Sequence, residues 1–272
     1  VVDNCNAVNE IKHPAVRAAL QYYGIDTPLE FHCFGDMPGR AGLGSSSTFC
    51  VGALKALQAH FQLPTTDSPL DLASEAISFE RHVIPEAVGF QDQIFAAVGG
   101  LNYITFGTIG TQVQRLELPP DRLSELEQSL VLVFAGNMRD SDTMAKKQID
   151  RIPENHTLLH MMRLQAEAGV KILLDPKAPL SDLGEMLHAA WMVKRDLHPE
   201  MSSPQLDALY AQGLSSGAVG GKLLGAGAGG FFLFFVPPRD RSEFESKISA
   251  LCTDFCMVPT GSQVLSLNGK KT

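Results

Sequence analysis

The order of apolar segments along the chain predicts an α+β protein with two lobes. Helix-type and strand-type stretches follow one another in mixed order over the 272 residues, which argues against a single doubly wound sheet. Pro119, Pro120 and the charged run after them are typical of a boundary. We therefore expect one lobe at residues 1–125 and a second at residues 126–272.

Composition excludes several classes of protein. Apolar residues make up 44% and charged residues 19% of the chain, as in ordinary globular proteins, and no apolar run approaches the length of about 18 residues that a membrane span needs. The net charge of −8 disfavours nucleic-acid binding as the main task. The five cysteines lack zinc-type spacing, and the opening residues of the sequence show no signal-peptide pattern. We expect a cytoplasmic protein with reduced thiols and no membrane or nucleic-acid partner.

The first half of the chain is predicted to contain helices and strands. Pro14 in a first helical turn favours a helix up to Tyr23, and alternation over Leu29 to Phe34 predicts a strand. Further helices are expected at residues 48–61 and 70–84, and further strands at residues 101–106 and 112–118.

The second half opens with a strand-sized apolar run, Leu130 to Phe134. Helical patterns follow at residues 142–165, with a break near Pro153, and at residues 180–197 and 204–213. A strand at residues 231–236, a helix at 241–252 and two short strands at 255–258 and 263–267 complete the prediction.

A loop dense in glycine and serine, Pro38 to Ser47, lies between the first predicted strand and a helix. Gly42 and Gly44 allow the backbone to approach a ligand closely. Serines 45–47 would lie at the helix N-terminus, where free amides and the helix dipole favour phosphate. No Gly-Lys pair follows, so the loop is not a Walker A loop. The alternative is a capped helix after a turn, and the loop alone leaves both interpretations open.

A second glycine-rich segment, Gly225 to Gly230, formally matches G-x-G-x-x-G. A dinucleotide-binding loop should follow a strand and open a helix, whereas this segment runs into the strand-type sequence Phe231 to Phe235. The dinucleotide interpretation therefore fails. A loop whose backbone packs near a nucleotide, or near the first glycine loop, remains open.

One carboxylate, Glu80, falls on the apolar face of its predicted helix. The apolar stripe around it consists of Leu70, Ala73, Ala76, Ile77 and Ile84. A carboxylate among core-facing positions must be paired, protonated or bound to a cation. An ion pair with a buried Arg or Lys is one interpretation, and a metal ligand or active-site carboxylate is the other.

A second carboxylate, Asp92, lies in the polar segment Gly89 to Gln93, directly before an apolar helix that begins at Ile94. As a residue at a helix start, Asp92 could cap that helix. Near a phosphate loop and a cation-binding carboxylate, it could instead accept a proton from an attacking hydroxyl group.

Taken together, these residues resemble the GHMP kinases, named for galactokinase, homoserine kinase, mevalonate kinase and phosphomevalonate kinase. Their phosphate loop has the form P-x-x-x-G-L-G-S-S, and their C-terminal glycine motif resembles Lys222 to Gly230. The phosphate-loop pattern is matched by Pro38, Gly42, Leu43, Gly44, Ser45 and Ser46. Both motifs occur in the family order, with Glu80 and Gln91–Gln93 between them.

Within that family, the chain is similar to the D-glycero-D-manno-heptose 7-phosphate kinases. The similar stretches are residues 79–81, 89–97, 99–102, 191–195 and 220–225. The resemblance implies an ATP-dependent transfer of the γ-phosphate to a sugar-phosphate hydroxyl, namely the anomeric hydroxyl of the heptose 7-phosphate. It also implies a ribosomal S5 domain 2-like N-terminal lobe and a ferredoxin-like C-terminal lobe.

The same resemblance implies roles for individual residues. Ser46 and Glu80 would hold Mg²⁺ against the phosphates of ATP, and Asp92 would orient or deprotonate the sugar hydroxyl. Backbone amides from Gly42 to Ser47 would bind the triphosphate. The second loop would line the nucleotide site with Gly225, Gly227 and Gly229.

The chain departs from the family pattern in two places. The usual first motif, an Arg with a Gly-Gly-Gly-Thr-Asp-like segment, is absent, so we expect an incomplete N-terminal lobe, and Ala228 stands where the heptose kinases more often have Gly. Two alternatives stay open: a kinase for another sugar such as fucose or galactose, and a catalytically silent nucleotide-binding homologue. The expected partner is a small sugar or sugar phosphate, and the resemblance leaves room for a homodimer.

Overall fold

The structure is a computed structural model that describes residues 3–37, 39, 41–65, 68–108, 110–136 and 141–265. Contacts divide the chain into two compact units. Unit 1 consists of Val1–Gly39, Gly44–Gly100 and Val258–Thr272, and unit 2 of Arg40–Leu43 and Leu101–Met257. These bounds come from packing, so the predicted domain boundary between residues 125 and 126 stays a prediction.

The regular elements in the described part of unit 1 are all helical. Its helices are α1 Pro14–Tyr23, α2 Ser45–Phe61, α3 Pro69–Ser78 and α4 Gln91–Val98, with a π-helical turn at Phe79–Val83 and a 3₁₀ turn at Val8–Glu10. Helices α2, α3 and α4 pack on one another. Val51, Leu54, Phe79 and Ile94 are almost completely buried in unit 1, so the apolar faces form a core.

The single helix predicted at residues 70–84 changes its hydrogen-bonding period near its end. The amide of Ile84 donates to the carbonyl of Phe79, an i→i+5 bond that defines a π-helical turn. The buried face of this stretch is Leu72, Ala73, Ala76, Phe79 and Glu80, while Leu70 is 38% exposed. The predicted burial of Glu80 is confirmed, whereas Leu70 does not belong to the buried stripe.

The strand predicted from Leu29 to Phe34 is wrong, because these residues form no strand. Alternation is a signal for a strand only if a neighbouring strand supplies the backbone hydrogen bonds. The structure records no pairing of this segment within its described residues. Phe31 packs on Phe49 of α2 with ring centroids 6.0 Å apart, and Phe34 is 92% exposed.

Unit 2 contains the strands and the remaining helices. The strands are β1 Asn102–Gly107, β2 Gly110–Arg115, β3 Leu130–Phe134, β4 Gly220–Leu223, β5 Phe231–Phe235 and β6 Cys252–Thr253. The helices are α5 Pro120–Ser129, α6 Ser141–Asp150, α7 His156–Leu174, α8 Ser181–Arg195, α9 Pro204–Ser215 and α10 Arg241–Lys247, with 3₁₀ turns at Pro199–Met201 and Pro238–Asp240.

Strands β4, β5, β3 and β6 form an antiparallel sheet in that order, and β1 and β2 form a separate hairpin. The sheet has apolar side chains on both faces: Phe232 and Phe234 pack with Trp191, whereas Phe235 packs with Leu183. This two-sided burial explains the unbroken apolar sequence of β5. Together with the helical unit, the sheet confirms the predicted α+β class.

Unit 2 differs from the prediction in several elements. Two elements were not predicted: β4, which lies just before the second glycine-rich segment, and α5, which lies in the charged run after Pro119. The hairpin belongs to unit 2 because Tyr103 and Leu116 pack against the apolar side of α5 and α7. Residues 255–258 form no strand, and residues 266 and 267 of the last predicted strand lie outside the described residues. No helix in the described part of the chain is both long and apolar enough to cross a membrane.

Candidate functional site

The second part of the first glycine loop forms the start of α2 in unit 1. Gly44 is the N-cap with φ 71°, and no side chain caps the helix. The first helical hydrogen bond runs from the amide of Thr48 to the carbonyl of Gly44, at 2.9 Å. The amides of Ser45, Ser46 and Ser47 therefore have no acceptor within the helix. Such a set of amides favours an anion, while Pro38 lies outside the described residues.

The carboxyl group of Asp92 lies directly against this turn. A Cβ atom added to Gly44 would come within 3.1 Å of Cγ and 3.2 Å of Oδ2 of Asp92. Asp92 is in the first turn of α4, whose N-cap position belongs to Phe90, so it is not the capping residue. Burial raises the pKa of Asp92, and a hydrogen bond with Gln91 offsets part of that rise.

Glu80 is completely buried, with 0% of its surface exposed. Its Oε1 accepts a hydrogen bond from the Ser47 hydroxyl at 3.1 Å, and its Oε2 accepts one from the Gln93 amide nitrogen at 2.5 Å. The side-chain oxygen of Gln93 is itself buried without a hydrogen-bond partner. The three polar side chains form a small buried group beneath the start of α2.

No lysine, arginine or histidine in the described part of the chain forms an ion pair with Glu80. The ion-pair interpretation of its burial therefore has no support there. Burial raises the pKa of Glu80, and the hydrogen bonds from Gln93 and Ser47 lower it in part. A buried carboxylate that lacks a cation fits a site for a hard cation.

The expected magnesium site differs from a cluster made by protein carboxylates alone. Within the described ranges, no group of three or more His, Cys, Asp or Glu side chains is placed to hold a metal ion. Magnesium in kinases is held by one or two carboxylates together with the phosphates, so Glu80 and a serine hydroxyl remain a sufficient protein contribution. Ser46 is exposed, and its predicted pairing with Glu80 on one cation stays a prediction.

The first part of the same loop belongs to unit 2 and packs on the second glycine loop. A Cβ atom on Gly225, which has φ 63°, would come within 2.5 Å of the Gly42 Cα atom. Conversely, a Cβ atom on Gly42 would lie 3.2 Å from the carbonyl oxygen of Leu224. A side chain on Gly230 would collide with the carbonyl of Ala41. Within unit 2 the two glycine loops therefore contact each other through their backbones.

The other glycine positions of the second loop are also constrained. A Cβ atom on Gly227 would collide with the sulfur of Met201, and Gly229 has φ 152°. Ala228 is buried with φ 64°, a conformation that costs an L-residue energy. Its amide donates to the carbonyl of Met201 at 3.1 Å. The predicted contact of Gly225, Gly227 and Gly229 with a nucleotide stays a prediction.

Lys194 in the last turn of α8 is 6% exposed. Its ammonium group donates to the carbonyl oxygens of Leu223 and Gly225, at 3.0 and 2.6 Å. Burial and the nearby charge of Lys222 lower its pKa to about 7. A lysine in the last turn of a helix is usually solvated, whereas this side chain lies inside unit 2.

Sequence reasoning missed three features of these clusters: the bond from Ser47 to Glu80, the bond from Gln93 to Glu80, and the burial of Lys194. A signal existed for Lys194, since it lies among the buried residues Ala190, Trp191 and Val193 on a helix. Gln93 and Ser47 follow polar neighbours in the chain, and no periodicity distinguishes their inward direction from an outward one.

Two family models match the chain. The model "GHMP kinases N terminal domain" matches residues 9–100, and "GHMP kinases C terminal" matches residues 177–254. The first contains Gly42–Ser47, Glu80 and Asp92, and the second contains Lys194 and Gly225–Gly230. Both clusters described above therefore fall within the matched regions.

Curated relatives include two sugar kinases. A D-glycero-alpha-D-manno-heptose 7-phosphate kinase of Campylobacter jejuni is 31% identical over 223 residues, which are 79% of this chain and 63% of the relative. A bifunctional fucokinase/GDP-fucose pyrophosphorylase of Arabidopsis thaliana is 28% identical over 244 residues, 84% of this chain and 22% of the relative. The chain therefore spans less than two thirds of either relative.

Solved structures share the fold at lower identity. A D-glycero-D-manno-heptose 1-phosphate kinase from Bacteriodes thetaiotaomicron has a TM-score of 0.70 at 22% identity, covering 93% of this chain and 76% of that structure. The galactokinase of Lactococcus lactis has a TM-score of 0.68 at 17% identity, covering 97% of this chain and 78% of that structure. The expected two-lobed fold is thereby confirmed, and with matches to both family domains the chain belongs to the GHMP kinases.

Proposed function

We propose that the protein is an ATP-dependent sugar kinase that transfers the γ-phosphate to a hydroxyl group of a sugar phosphate. The proposed acceptor is a D-glycero-D-manno-heptose 7-phosphate, phosphorylated at its anomeric hydroxyl. The observation that carries the proposal is the carboxyl group of Asp92 against Gly44, at the uncapped start of α2. The Campylobacter relative, by its name, acts on this class of substrate.

In this proposal the amides at the start of α2 bind phosphate oxygens. The N–H groups of Ser45, Ser46 and Ser47 lack helical acceptors, so they can donate to an anion without breaking a hydrogen bond of the helix. The positive end of the helix dipole adds to this attraction. Gly44 keeps the turn free of a side chain, so that a phosphate and the carboxyl group of Asp92 can both approach it.

Asp92 accepts the proton of the attacking hydroxyl group. As the O–H bond breaks, the hydroxyl oxygen forms a bond to the γ-phosphorus, and the bond between that phosphorus and the bridging oxygen of ADP breaks. The proton remains on Asp92 until it passes to solvent. Burial raises the pKa of Asp92, which makes its carboxylate a better proton acceptor than an exposed aspartate.

Glu80 supplies negative charge for a divalent cation. When Mg²⁺ is bound with ATP, it neutralises charge that develops on the phosphate oxygens during transfer. Ser47 and Gln93 hold the two oxygens of Glu80 in place, and each oxygen keeps a lone pair free. The exposed hydroxyl group of Ser46 is the proposed second protein ligand.

The test is Mg-ATP turnover of the full-length protein against a panel of acceptors, read by ADP release. The panel contains heptose 7-phosphate, the same heptose without its phosphate, fucose, galactose and a no-acceptor control. We expect turnover with the sugar 7-phosphate to exceed that with each free sugar by at least about tenfold, since a sugar phosphate offers an additional charged group for binding.

Each other outcome contradicts a stated part of the proposal. Preferential turnover of fucose would assign the activity named in the Arabidopsis relative and overturn the heptose acceptor. ATP binding without transfer to any acceptor would overturn the kinase assignment and favour a silent nucleotide-binding homologue. A cytoplasmic location and a homodimer are further expectations, which fractionation and solution mass measurements can check.

A further inference from the structure

We propose that Lys194 is a positioning residue, which holds the second glycine loop in the shape that keeps Gly42 of the phosphate loop in place. This inference rests on the proposed function, because its readout is nucleotide binding. The residues that carry it lie in unit 2: Lys194, the segment from Leu223 to Gly225, and Gly42.

The two hydrogen bonds of Lys194 fall on either side of the contact with the phosphate loop. Its ammonium group donates to the carbonyls of Leu223 and Gly225. Between these residues lies Leu224, whose carbonyl oxygen would be 3.2 Å from a Cβ atom on Gly42. The three successive carbonyls thus serve two purposes: the outer two bind the lysine, and the middle one faces the phosphate loop.

Other bonds hold the neighbouring parts of this loop, among them one from the side chain of Gln148 to the carbonyl of Ala226 at 2.7 Å, whereas Lys194 bonds to the carbonyls of Leu223 and Gly225. The amide of Leu224 donates to the carbonyl of Phe231 at 2.9 Å, and the amide of Ala135 donates to that of Gly230 at 2.8 Å. Gly225 itself has φ 63°, a region where glycine has little preference of its own. A buried donor that reaches both Leu223 and Gly225 restricts this turn to one arrangement.

Burial of Lys194 has a cost in free energy that a purely structural side chain at this position would not have. In the described part of the chain it has no carboxylate partner, and the half-buried Lys222 adds a second positive charge nearby. Burying an ammonium group without an anion is unfavourable, and an apolar side chain of similar length would fill the same space at lower cost. A role in holding the loop explains why a donor stands there.

The experiment compares Lys194→Met with Lys171→Met, the same substitution at an exposed lysine of α7. In the full-length protein, we expect K194M to weaken Mg-ATP binding and raise the KM for ATP by about tenfold, which corresponds to ~1.4 kcal/mol. The KM for the acceptor and kcat should change by less than about threefold. K171M should leave all of these values unchanged, and Lys194→Arg, which keeps the donors, should restore most of the ATP affinity.

Equal ATP affinity in K194M and the wild type would overturn the inference. If K194M does not fold, the shorter Lys194→Gln replaces it, since its amide cannot span both carbonyls, and it must weaken ATP binding in the same way. Failure of both variants to fold would mean that Lys194 only stabilises unit 2, which also contradicts a positioning role. Loss of ATP affinity in K194M, together with a wild type that phosphorylates no sugar, would refute the kinase proposal while supporting the role of Lys194.

Discussion

The two units of this chain bury charges of opposite sign, and they treat them differently. In unit 1, Glu80 is fully buried and Asp92 half-buried, and burial raises the pKa of both groups. In unit 2, Lys194 is almost fully buried and Lys222 half-buried, and burial lowers the pKa of both. Within its own unit, neither pair has an ion-pair partner among the described residues.

The difference lies in what each charged group contacts. Lys194 donates hydrogen bonds to two backbone carbonyls, so it restricts the conformation of a loop. Glu80 accepts a hydrogen bond from Ser47 on one oxygen and from Gln93 on the other, and a carboxylate bonded in this way keeps lone pairs for a cation. Asp92 lies against a glycine at a helix start. A charge that organises backbone and a charge kept available for chemistry can therefore be distinguished by their hydrogen-bond partners.

Glu80→Gln removes the buried negative charge of unit 1 and should have the largest effect on activity. Loss of the negative charge should lower Mg-dependent transfer by about a hundredfold or more, because removal of one stabilising group from a phosphoryl-transfer site has effects of that order. Gln93 can rotate its amide and present its unpartnered oxygen to the new amide, so the fold should accept the change. Turnover at saturating Mg-ATP measures it.

In the absence of ligand, the same variant should be as stable as the wild type or more stable, although its activity is lower. The pKa of Glu80 is raised in the folded state, so the unfolded chain loses this proton first as pH rises, and ionisation disfavours folding above the unfolded pKa. Without Mg-ATP, E80Q should therefore have an equal or higher Tm than the wild type at pH 8, with the difference vanishing near pH 4. A lower Tm at pH 8 would show that the carboxylate is stabilising and not held at a cost.

Gly225→Ala should break the loop contact of unit 2. The added methyl group would press on the Gly42 Cα atom, and φ at this position is positive, so we expect a loss of about 2–4 kcal/mol in the free energy of unfolding. The control is Gly52→Ala within α2, where a Cβ atom meets nothing within 4 Å and where alanine should stabilise the helix by about 0.5–1 kcal/mol. Denaturant unfolding measures both, and equal stabilities would contradict the backbone contact.

Ser47→Ala and Ser46→Ala should distinguish the roles of two neighbouring hydroxyl groups. Removal of the buried donor to Glu80 should cost about 1–2 kcal/mol of stability, whereas removal of the exposed Ser46 hydroxyl should cost less than about 0.5 kcal/mol. For S46A the expected defect is a higher Mg²⁺ requirement for turnover. Thermal unfolding and magnesium titrations of both variants test this, and a reversal of the two effects would transfer the ligand role to Ser47.

The smallest expected effect concerns the pH dependence of stability in unit 2. With its pKa lowered to about 7, Lys194 is neutral in the folded protein above that pH, while in the unfolded chain it stays charged up to about pH 10.4. The unfolded state then binds more protons, so this residue adds stability as pH rises from about 7 to 10. The Tm difference between the wild type and K194M should therefore shift in favour of the wild type over this range, and a constant difference would contradict the lowered pKa.

The sequence predicted elements best where the apolar pattern is local. Helix α1 and strand β3 have the expected bounds, because proline at a helix start and a short run of branched residues act within a few positions. The prediction was wrong where hydrogen bonding to a neighbouring strand determines whether a segment is a strand. Residues 29–34 alternate without forming a strand, whereas the glycine-rich segment β4 is a strand because it pairs with β5. No local pattern contains that information.

The sequence predicted a residue of the candidate site where a polar side chain interrupts the apolar face of a helix. Glu80 was identified because a carboxylate interrupts an apolar stripe, and its burial is confirmed. That Ser47 is the serine bonded to it depends on the turn at Gly44 and on the π-helical turn, and both are set by packing. Lys194 reaches a loop about thirty positions further along the chain through a tertiary contact, which spacing alone does not indicate.

The most direct measurement of the central claim is the transfer rate of Asp92→Asn in the full-length protein, with ATP affinity measured on the same sample. If Asp92 accepts the proton of the acceptor hydroxyl, transfer should fall by at least about a hundredfold while the Kd for Mg-ATP changes by less than about threefold. Transfer at the wild-type rate would contradict the account, because the carboxyl group against Gly44 would then have no part in the reaction.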